Sequence, residues 1–564
     1  MRIGIDIGGT HTDGVLVDGE RLIAAAKAPT LYDNLLESIG RVLSSILLNQ
    51  DPKKVTTLNL STTLNTNAIV TGNIDPVGVL VVGGPGIAVE TYRVGSHYHL
   101  IPGSLDHLGT ETAPLDSEEL QTVVAGCFEK GVKTFAVVSK FSPRNPVYEN
   151  LIRAHLQEQA DFISSGHLIS GQLNFGRRIH TCYYNSAVWR NFYTFSTALM
   201  ESLQGFDIEA EVNILKADGG TMPMARALET PVQSIFSGPA ASAMGILAIT
   251  RTDTDSLILD IGGTTTDIAI FAGGQPLLER EGISIEGRPT LVRAIHVESI
   301  GIGGDSLLQV EQAAVLVGPQ RLGPCMARGG ALPTLMDAFN VLNLAAFGDV
   351  ERSAGGVEAL AVRSGMTGRQ LAAKAVDTAI NAISAKIEDL IALVNSRPVY
   401  TIHEILEDRP IAPAQLIIIG GPAAVFQELL RTRLGMEVVV PPLYEVANAI
   451  GAALTRSTAY LDLTADTAKG KVSVPRLAIY RSIPRSYDLD TAIGEARSLL
   501  IGDLEQAGVS ISPEEVQITQ ADSFNIVEDF YTAGRNIRVV AQVQPAVIAH
   551  IDTGNTGVRV NSRT

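Results

Sequence analysis

The chain has 564 residues, 45% of them hydrophobic, with 53 glycines and a formal net charge of −17 from 43 Lys and Arg against 60 Asp and Glu. With no Lys/Arg-rich run, that balance argues against a nucleic-acid or anionic-membrane partner, and three widely spaced cysteines (Cys127, Cys182, Cys325) give neither a disulfide framework nor a CxxC metal pair. No apolar stretch approaches the ~20 residues of a spanning helix, and the chain opens straight into a strand with no leader-like segment; a soluble, cytoplasmic protein of several domains is expected.

"RIGIDIG" and "GVLVDG" are short apolar runs joined by a Gly/Thr/Asp turn and predict a β-hairpin, with "LIAAAKAP" as a third strand. "LYDNLLESIGRVLSSILLNQ" carries apolar residues at helical spacing and stops at Asp51-Pro52. "VTTLNLSTTLNTNAIVTG" predicts a strand and a polar turn, "PVGVLVVGGPG" a buried strand, "DSEELQTVVAGCFEKGV" a helix and "KTFAVVSKFSPRNP" a strand ending at prolines. This alternation predicts α/β architecture. Strand, turn and strand return in "DSLILDIGGTTTDIAIFAGGQPLLE", and 368–394 predicts a long amphipathic helix. "PAQLIIIGGPAAVFQELL" gives a strand, a Gly-Gly-Pro turn and a helix, and "EVANAIGAALTRS" a helix of small residues. From about 464, the helix "TAIGEARSLLIGDLEQAGV" and the strands "EVQITQADSFNIVED" and "NIRVVAQVQPAVIAHI" predict a separate α+β unit. The expected domains are 1–165, 166–232 (a connecting, substrate-side segment), 233–463 and 464–564.

Asp-Ile-Gly-Gly-Thr-x-Thr-Asp occurs twice, at Asp6–Asp13 and Asp260–Asp267. A Gly-Gly-Thr hairpin tip lets a phosphate approach backbone N–H groups and hydroxyls closely. An Asp ending the preceding strand can hold Mg²⁺ through water. One copy is as readily an ordinary tight turn; two matched copies point to two jaws on one polyphosphate. On this reading Asp6 and Asp260 hold Mg²⁺, and phosphates lie against Gly8, Gly9, Thr10 and Thr12 and against Gly262, Gly263, Thr264 and Thr265. Asp13 or Asp267 either orients the acceptor or pins its turn. Gly301, Gly303, Gly304 and Asp305 form a third Gly-rich loop on the nucleotide side. Neither a Walker A loop nor a GxGxxG following a strand occurs.

The doubled hairpin resembles the actin/sugar kinase/Hsp70 ATPase superfamily. That resemblance implies two ribonuclease-H-like halves around a nucleotide cleft, with ATP and Mg²⁺ as cofactors. "SGPAASAMG" (237–245) and "NAIGAA" (448–453) match its connecting helices, and "IIIGGPAAV" (417–425) its adenosine strand, with Gly420 and Gly421 against base and ribose. Within that superfamily, "ADGGTMPMARALETPVQSIFSGPAASAMG" (217–245), "STTLNTNAIVTG" (61–72), "NFGRRIHTCYYNSAV" (174–188), "SIGIGGDS" (299–306) and "VGPQRLGPCMARGGALPTLMDA" (317–338) resemble the hydantoinase A/5-oxoprolinase family, over roughly residues 1–460.

This resemblance implies ATP-dependent opening of a cyclic amide such as a hydantoin or 5-oxoproline, or ATP-dependent carboxylation of a ketone. It also implies a B-type partner subunit and an oligomer. Asn65, Thr66 and Asn67 are candidates for a lactam edge or simply an Asn-rich turn, and Arg177 and Arg178 for a substrate carboxylate or an ion pair. Two stretches depart from the family pattern: Leu60-Ser61-Thr62-Thr63 replaces His-Gly-Thr-Thr, and His296-Val297-Glu298-Ser299 replaces Asp-x-His-Thr. The alternatives are a small-molecule kinase of the superfamily and an ATPase that reactivates a partner enzyme.

Overall fold

The two Gly-Gly-Thr hairpins pair residue for residue in the same way. Asp6 faces Asp13 and Ile7 faces Thr12 in the first; Asp260 faces Asp267 and Ile261 faces Thr266 in the second. The computed structural model that shows this describes residues 1–31, 34–279, 281–311, 314–396, 410–528, 530–555 and 561–562; Tyr32, Asp33 and Asp529 of the predicted elements lie outside them.

Each hairpin nucleates a sheet of the same plan. The first runs Thr221–Pro223, Glu211–Leu215, Thr57–Thr62, Arg2–Ile7, His11–Asp18, Arg21–Pro29, Asn561–Ser562. The second runs Gln275–Pro276, Thr266–Ala272, Ser256–Ile261, Gln415–Ile419, Glu437–Val439, with Val297–Ile300 also paired to Thr266–Ala272. In both, three antiparallel strands continue into two parallel ones on the far side of the first strand, the ribonuclease-H-like arrangement. The first sheet takes strands from 211–223, beyond the boundary expected at 165, so the stretch 166–232 is in part a piece of the first half.

Between these strands the chain inserts an all-parallel sheet in the order Phe162–Ser165, Thr134–Ser139, Val77–Val82, His97–Leu100. Its central strands, VGVLVV and TFAVVS, are buried along their whole length because both faces are covered. A 30-residue helix, Phe175–Gln204, ties this insert to the first half: Ile179, Cys182 and Tyr184 enter the insert's core, and Phe192, Leu199 and Leu203 that of the first sheet. The predicted polar turn after Thr62 is instead the helix Leu64–Val70, closed by Asn67 N–H donating to Thr63 O at 2.8 Å. The C-terminal unit is a five-stranded antiparallel sheet (460–543) covered by the helix Leu489–Gln506, with its own core of Leu461, Leu463, Leu500 and Val539. No described helix is long and apolar enough to cross a membrane.

Two helices of small residues, Ser237–Ile249 and Ala447–Leu454, join the halves. Glycine makes their contact possible. A Cβ on Gly451 would lie 2.3 Å from Ala241 O, one on Gly245 2.2 Å from Ala447 O, and one on Gly4 2.0 Å from Ala449 O. Backbone thus packs on backbone from the first sheet through both helices, and one apolar cluster containing Val15, Ile246, Ile258, Ile417 and Ile450 spans the two halves. The Gly451→Val substitution must push the helices apart, and overpacking of this kind costs about 2–3 kcal/mol. Denaturant unfolding should show that loss; an unchanged midpoint would mean the helices can separate freely.

Candidate active site

Equivalent strands deliver Asp6 and Asp260 to one place, and a side chain from a third element joins them. Asn448, in the second connecting helix, donates from Nδ2 to Asp6 Oδ2 at 3.3 Å and to Asp260 Oδ2 at 3.2 Å. From the first connecting helix, Ser242 Oγ donates to Asp260 Oδ2 at 2.5 Å. Both connecting helices therefore hold the carboxylate pair directly. Burial pushes the Asp6 carboxyl up to about 7, opposed by the Ser61 hydroxyl and then Asn448, and reinforced by the charges of Asp13 and, less, Asp260.

The flanking aspartates have partners of their own. Asp13 accepts from Lys27 Nζ at 3.0 Å, yet burial still raises its carboxyl. Asp267 accepts from Ser299 Oγ at 2.5 Å and is pushed up to about 6 by burial. Burial lowers His11 to about 4, assisted by the positive charges of Lys27, Arg328 and Arg321, so the imidazole at the first tip is neutral at physiological pH.

The hairpin tips are built alike and face each other. Gly8 N–H donates to His11 O at 3.0 Å, and Gly262 N–H to Thr265 O at 2.9 Å. Those two N–H groups close the turns, leaving Gly8 and Gly262 to shape the cradle. A Cβ on Gly263 would sit 3.6 Å from Thr10 Oγ1 across the gap. The predicted Thr12 contact is corrected: Thr12 is fully buried and its hydroxyl pairs with that of Thr30 at 3.0 Å. The residue equivalent to Thr12 by register is Thr266, buried and bonded to Ile302 O at 2.7 Å, while Thr265 is exposed at the tip.

The third Gly-rich loop braces the second tip from behind. Gly304 N–H donates to Gly262 O at 3.0 Å and Asp305 N–H to Gly263 O at 2.7 Å, and a Cβ on Gly303 would lie 2.6 Å from Gly262 O. The Asp305 carboxylate accepts from Arg321 at 3.1 Å and from Cys325 N–H at 3.2 Å, which fixes it as a brace. Gly420, at φ +94°, lies against the second aspartate: a Cβ there would be 2.8 Å from Asp260 Oδ1, whereas one on Gly421 would meet nothing within 4 Å.

The candidate substrate residues all have protein partners, and two of them, Asn65 and Arg178, are buried away from any ligand. Asn65 is fully buried, its amide donating to Pro231 O at 3.0 Å and Ser234 Oγ at 2.8 Å. Thr66 Oγ1 accepts from Phe236 N–H at 3.0 Å, and Asn67 Nδ2 donates to Thr63 Oγ1 at 3.3 Å. These residues position the entry to the first connecting helix. Arg177 Nη1 donates to the carbonyls of Glu281, Gly282 and Thr290 at 2.9–3.1 Å and so ties down a loop. Arg178 is wholly buried, donating to Ser139 O, Ser142 Oγ and Lys140 O.

Sequence reasoning missed Asn448, Ser242, Lys27 and Ser299 as site residues. The only trace of the first two is a polar residue within an otherwise small-residue helix.

The donor set suits a hydrated divalent cation. Asp13 Oδ1 is buried with no partner among the described residues, and the Ser61 hydroxyl, in register opposite Asp6, lies beside the buried Asp6 carboxyl. Among the described residues no group of three or more His, Cys, Asp or Glu could hold a metal directly. A cation here would keep most of its water, as Mg²⁺ does.

The chain matches the Hydantoinase/oxoprolinase family over residues 178–460 and the family's N-terminal region over 2–160. It belongs to the hydantoinase/oxoprolinase family. It is 28% identical over 494 residues to caprolactamase subunit alpha of Pseudomonas jessenii, covering 78% of this chain and 68% of that protein. In fold it is similar to nucleotide-free acetone carboxylase (TM-score 0.71, 16% identity, 97% of this chain and 87% of that one). It is also similar in fold to the ATP-dependent caprolactamase of Pseudomonas jessenii (TM-score 0.65, 20% identity, 96% and 87%).

Two predictions follow from the carboxylate cluster. The unfolded chain holds the Asp6 proton with the ordinary value of 3.8 and the fold holds it to about 7, so Asp6 favours folding most below pH 3.8 and that contribution is lost as pH rises through 7. The ligand-free Asp6→Asn variant should therefore lose less thermal stability than the parent between pH 5 and pH 8; equal losses would contradict the burial of this charge. Asn448→Ala removes a hydrogen bond to two carboxylates, interactions typically contributing about 1.5–3 kcal/mol. Calorimetric titration with Mg·ATP should show roughly tenfold weaker binding, and unchanged affinity would remove Asn448 from the site.

Proposed function

We propose that this chain is the ATP-using subunit of an enzyme that activates a cyclic amide, or a related carbonyl compound, by phosphorylating its oxygen. The observation that carries this reading is the Asp6–Asn448–Asp260 bridge beneath two facing Gly-Gly-Thr tips. The family supports it: relatives include subunits of caprolactamase and acetophenone carboxylase and a 5-oxoprolinase. ATP phosphates would lie between Gly9–Thr10 and Gly263–Thr264, with Mg²⁺ held through water by Asp6 and Asp260, where it would neutralise phosphate charge. The adenosine end would run toward Gly421. The relatives named as subunits also favour an oligomer that includes a hydantoinase B-type subunit.

An amide carbonyl is a weak electrophile and its nitrogen a poor leaving group, which is why phosphorylation is needed. The carbonyl oxygen attacks the γ-phosphorus, the bond to the ADP oxygen breaks, and the amide loses its N–H proton to give an O-phospho-imidate whose nitrogen is uncharged. Water then adds to the activated carbon; the C–N bond of that adduct breaks as the nitrogen takes back a proton, leaving an acyl phosphate, and a second water hydrolyses this mixed anhydride to the carboxylate and free phosphate. Asp267 is the candidate acceptor of the N–H proton. Its carboxyl at about 6 is ionised at neutral pH yet basic enough to take a proton, and Ser299 orients it. Ser299 also lines a cavity of about 410 Å³ with Phe236, Pro239 and His296, within the usual size range of small-molecule sites.

The test is phosphate release from the purified chain with Mg·ATP, with and without caprolactam, hydantoin or 5-oxoproline, alone and with a B-type subunit. Asp260→Ala should abolish Mg·ATP binding with the fold retained. Asp267→Asn should keep ATP binding and lower substrate-stimulated turnover by about 10²-fold or more. Wild-type nucleotide affinity in Asp260→Ala would sink the assignment of the second tip, and full turnover in Asp267→Asn would remove the proton acceptor.

A further inference from the structure

A second concave site lies where the parallel-sheet insert meets the C-terminal unit. Several contacts join the two units. Lys469 Nζ donates to Leu108 O at 3.1 Å, Tyr480 OH reaches Ser142 O at 3.5 Å, and Gly171 packs so closely that a Cβ there would lie 2.8 Å from Asp462 Cβ. Between these contacts the seam opens into a cavity of about 900 Å³, lined by 143–147 and 171–174 on one side and by 464–466, 471–473, 480–482, 536 and 538 on the other. It shares no residue with the aspartate cleft.

The lining is cationic in an acidic protein. Arg144, Lys469, Lys471, Arg481 and Arg538 line it against a single acid, Asp466, while the chain as a whole carries −17. Arg481 is held by Glu495 and Arg538 by Asp462 at 3.5 Å, and the Asp466 carboxylate is turned to Lys469 N–H at 3.0 Å. Arg144 and Lys471, on opposite walls, have no acidic partner among the described residues. The same cavity carries exposed Leu108, Leu151 and Leu173, apolar surface that folding alone leaves in water. Two free cations facing across an apolar hollow of this size match the usual makeup of a small-molecule site, mostly apolar with a few charged anchors.

We propose that this cavity binds a small organic anion with an apolar body, a carboxylate being the simplest form, clamped between the insert and the C-terminal unit. The negative group would sit between Arg144 and Lys471 and the hydrocarbon against the three leucines. A free inorganic anion would use only the cations and leave the leucines wet.

The test uses the fluorescent aromatic anion 8-anilinonaphthalene-1-sulfonate on the full chain, with hexanoate and inorganic phosphate as competitors. The expected result is one saturable site whose dye is displaced by hexanoate and unaffected by saturating Mg·ATP. The charge reversal Arg144→Glu with Lys471→Glu should weaken it at least tenfold while circular dichroism and Mg·ATP binding stay unchanged. Because both side chains lie at the cavity surface, the neutral pair Arg144→Gln with Lys471→Gln serves if the reversal misfolds, with at least fivefold weakening expected. No saturable binding, affinity within twofold of the parent in the folded variant, displacement by Mg·ATP, or displacement by phosphate and not by hexanoate would each overturn the proposal. Since none of these readouts depends on turnover, failure here leaves the reading of the aspartate cleft standing, and failure there leaves this one.

Discussion

Two carboxylates drawn from opposite halves of a protein, Asp6 buried and Asp260 partly so, repel each other, and here one amide keeps them together. Asn448 reaches both Asp6 and Asp260 from a helix that belongs to neither hairpin, and Ser242 adds a second donor to Asp260. Burial above all holds the Asp6 carboxyl up to about 7, so ionising Asp6 there without a counter-charge is unfavourable. On the proposed function, a divalent cation with a polyphosphate would bring the missing positive charge and the missing ligands. The cluster is thus arranged to be completed by what it binds.

The rest of the architecture serves that geometry. For Asn448 to reach both acids, its helix must run against the first sheet and against the first connecting helix at once, and only backbone contact is close enough. Gly4, Gly245 and Gly451 permit it. Asn59, buried in the first sheet, bonds Ala452 O at 2.8 Å and so secures the end of the same helix. Movement of one half relative to the other must pass through these contacts, which places the carboxylate pair at the hinge where opening and closing would be felt first.

Much of this was legible in the sequence, and what was missed shares a physical cause. The doubled Asp-Ile-Gly-Gly-Thr phrase announced both hairpins because strand alternation and turn glycines are local features, and the equal register of Asp6–Asp13 and Asp260–Asp267 follows from them. The small-residue helices were visible for the same reason. Asn448 stands at the start of one of these helices with nothing local to mark its role, since its partners lie 442 and 188 positions away. Arg177 and Asn65 misled in the opposite sense. Both look like ligand groups in isolation, and both are consumed by backbone carbonyls 104 to 166 positions distant. The helix at Leu64–Val70 was hidden by an Asn- and Thr-rich composition that favours turns, overridden by the tertiary partners those side chains find.

The central claim is that both halves grip one nucleotide through the Asp6–Asp260 pair. The most direct test is diffraction from crystals grown with Mn²⁺ and a non-hydrolysable ATP analogue, reading the anomalous signal of the manganese. The account predicts one Mn²⁺ peak beside the Asp6 and Asp260 carboxylates, with the phosphates running between Gly9–Thr10 and Gly263–Thr264. Manganese and phosphates on one hairpin alone, or anywhere away from Asn448, would contradict it.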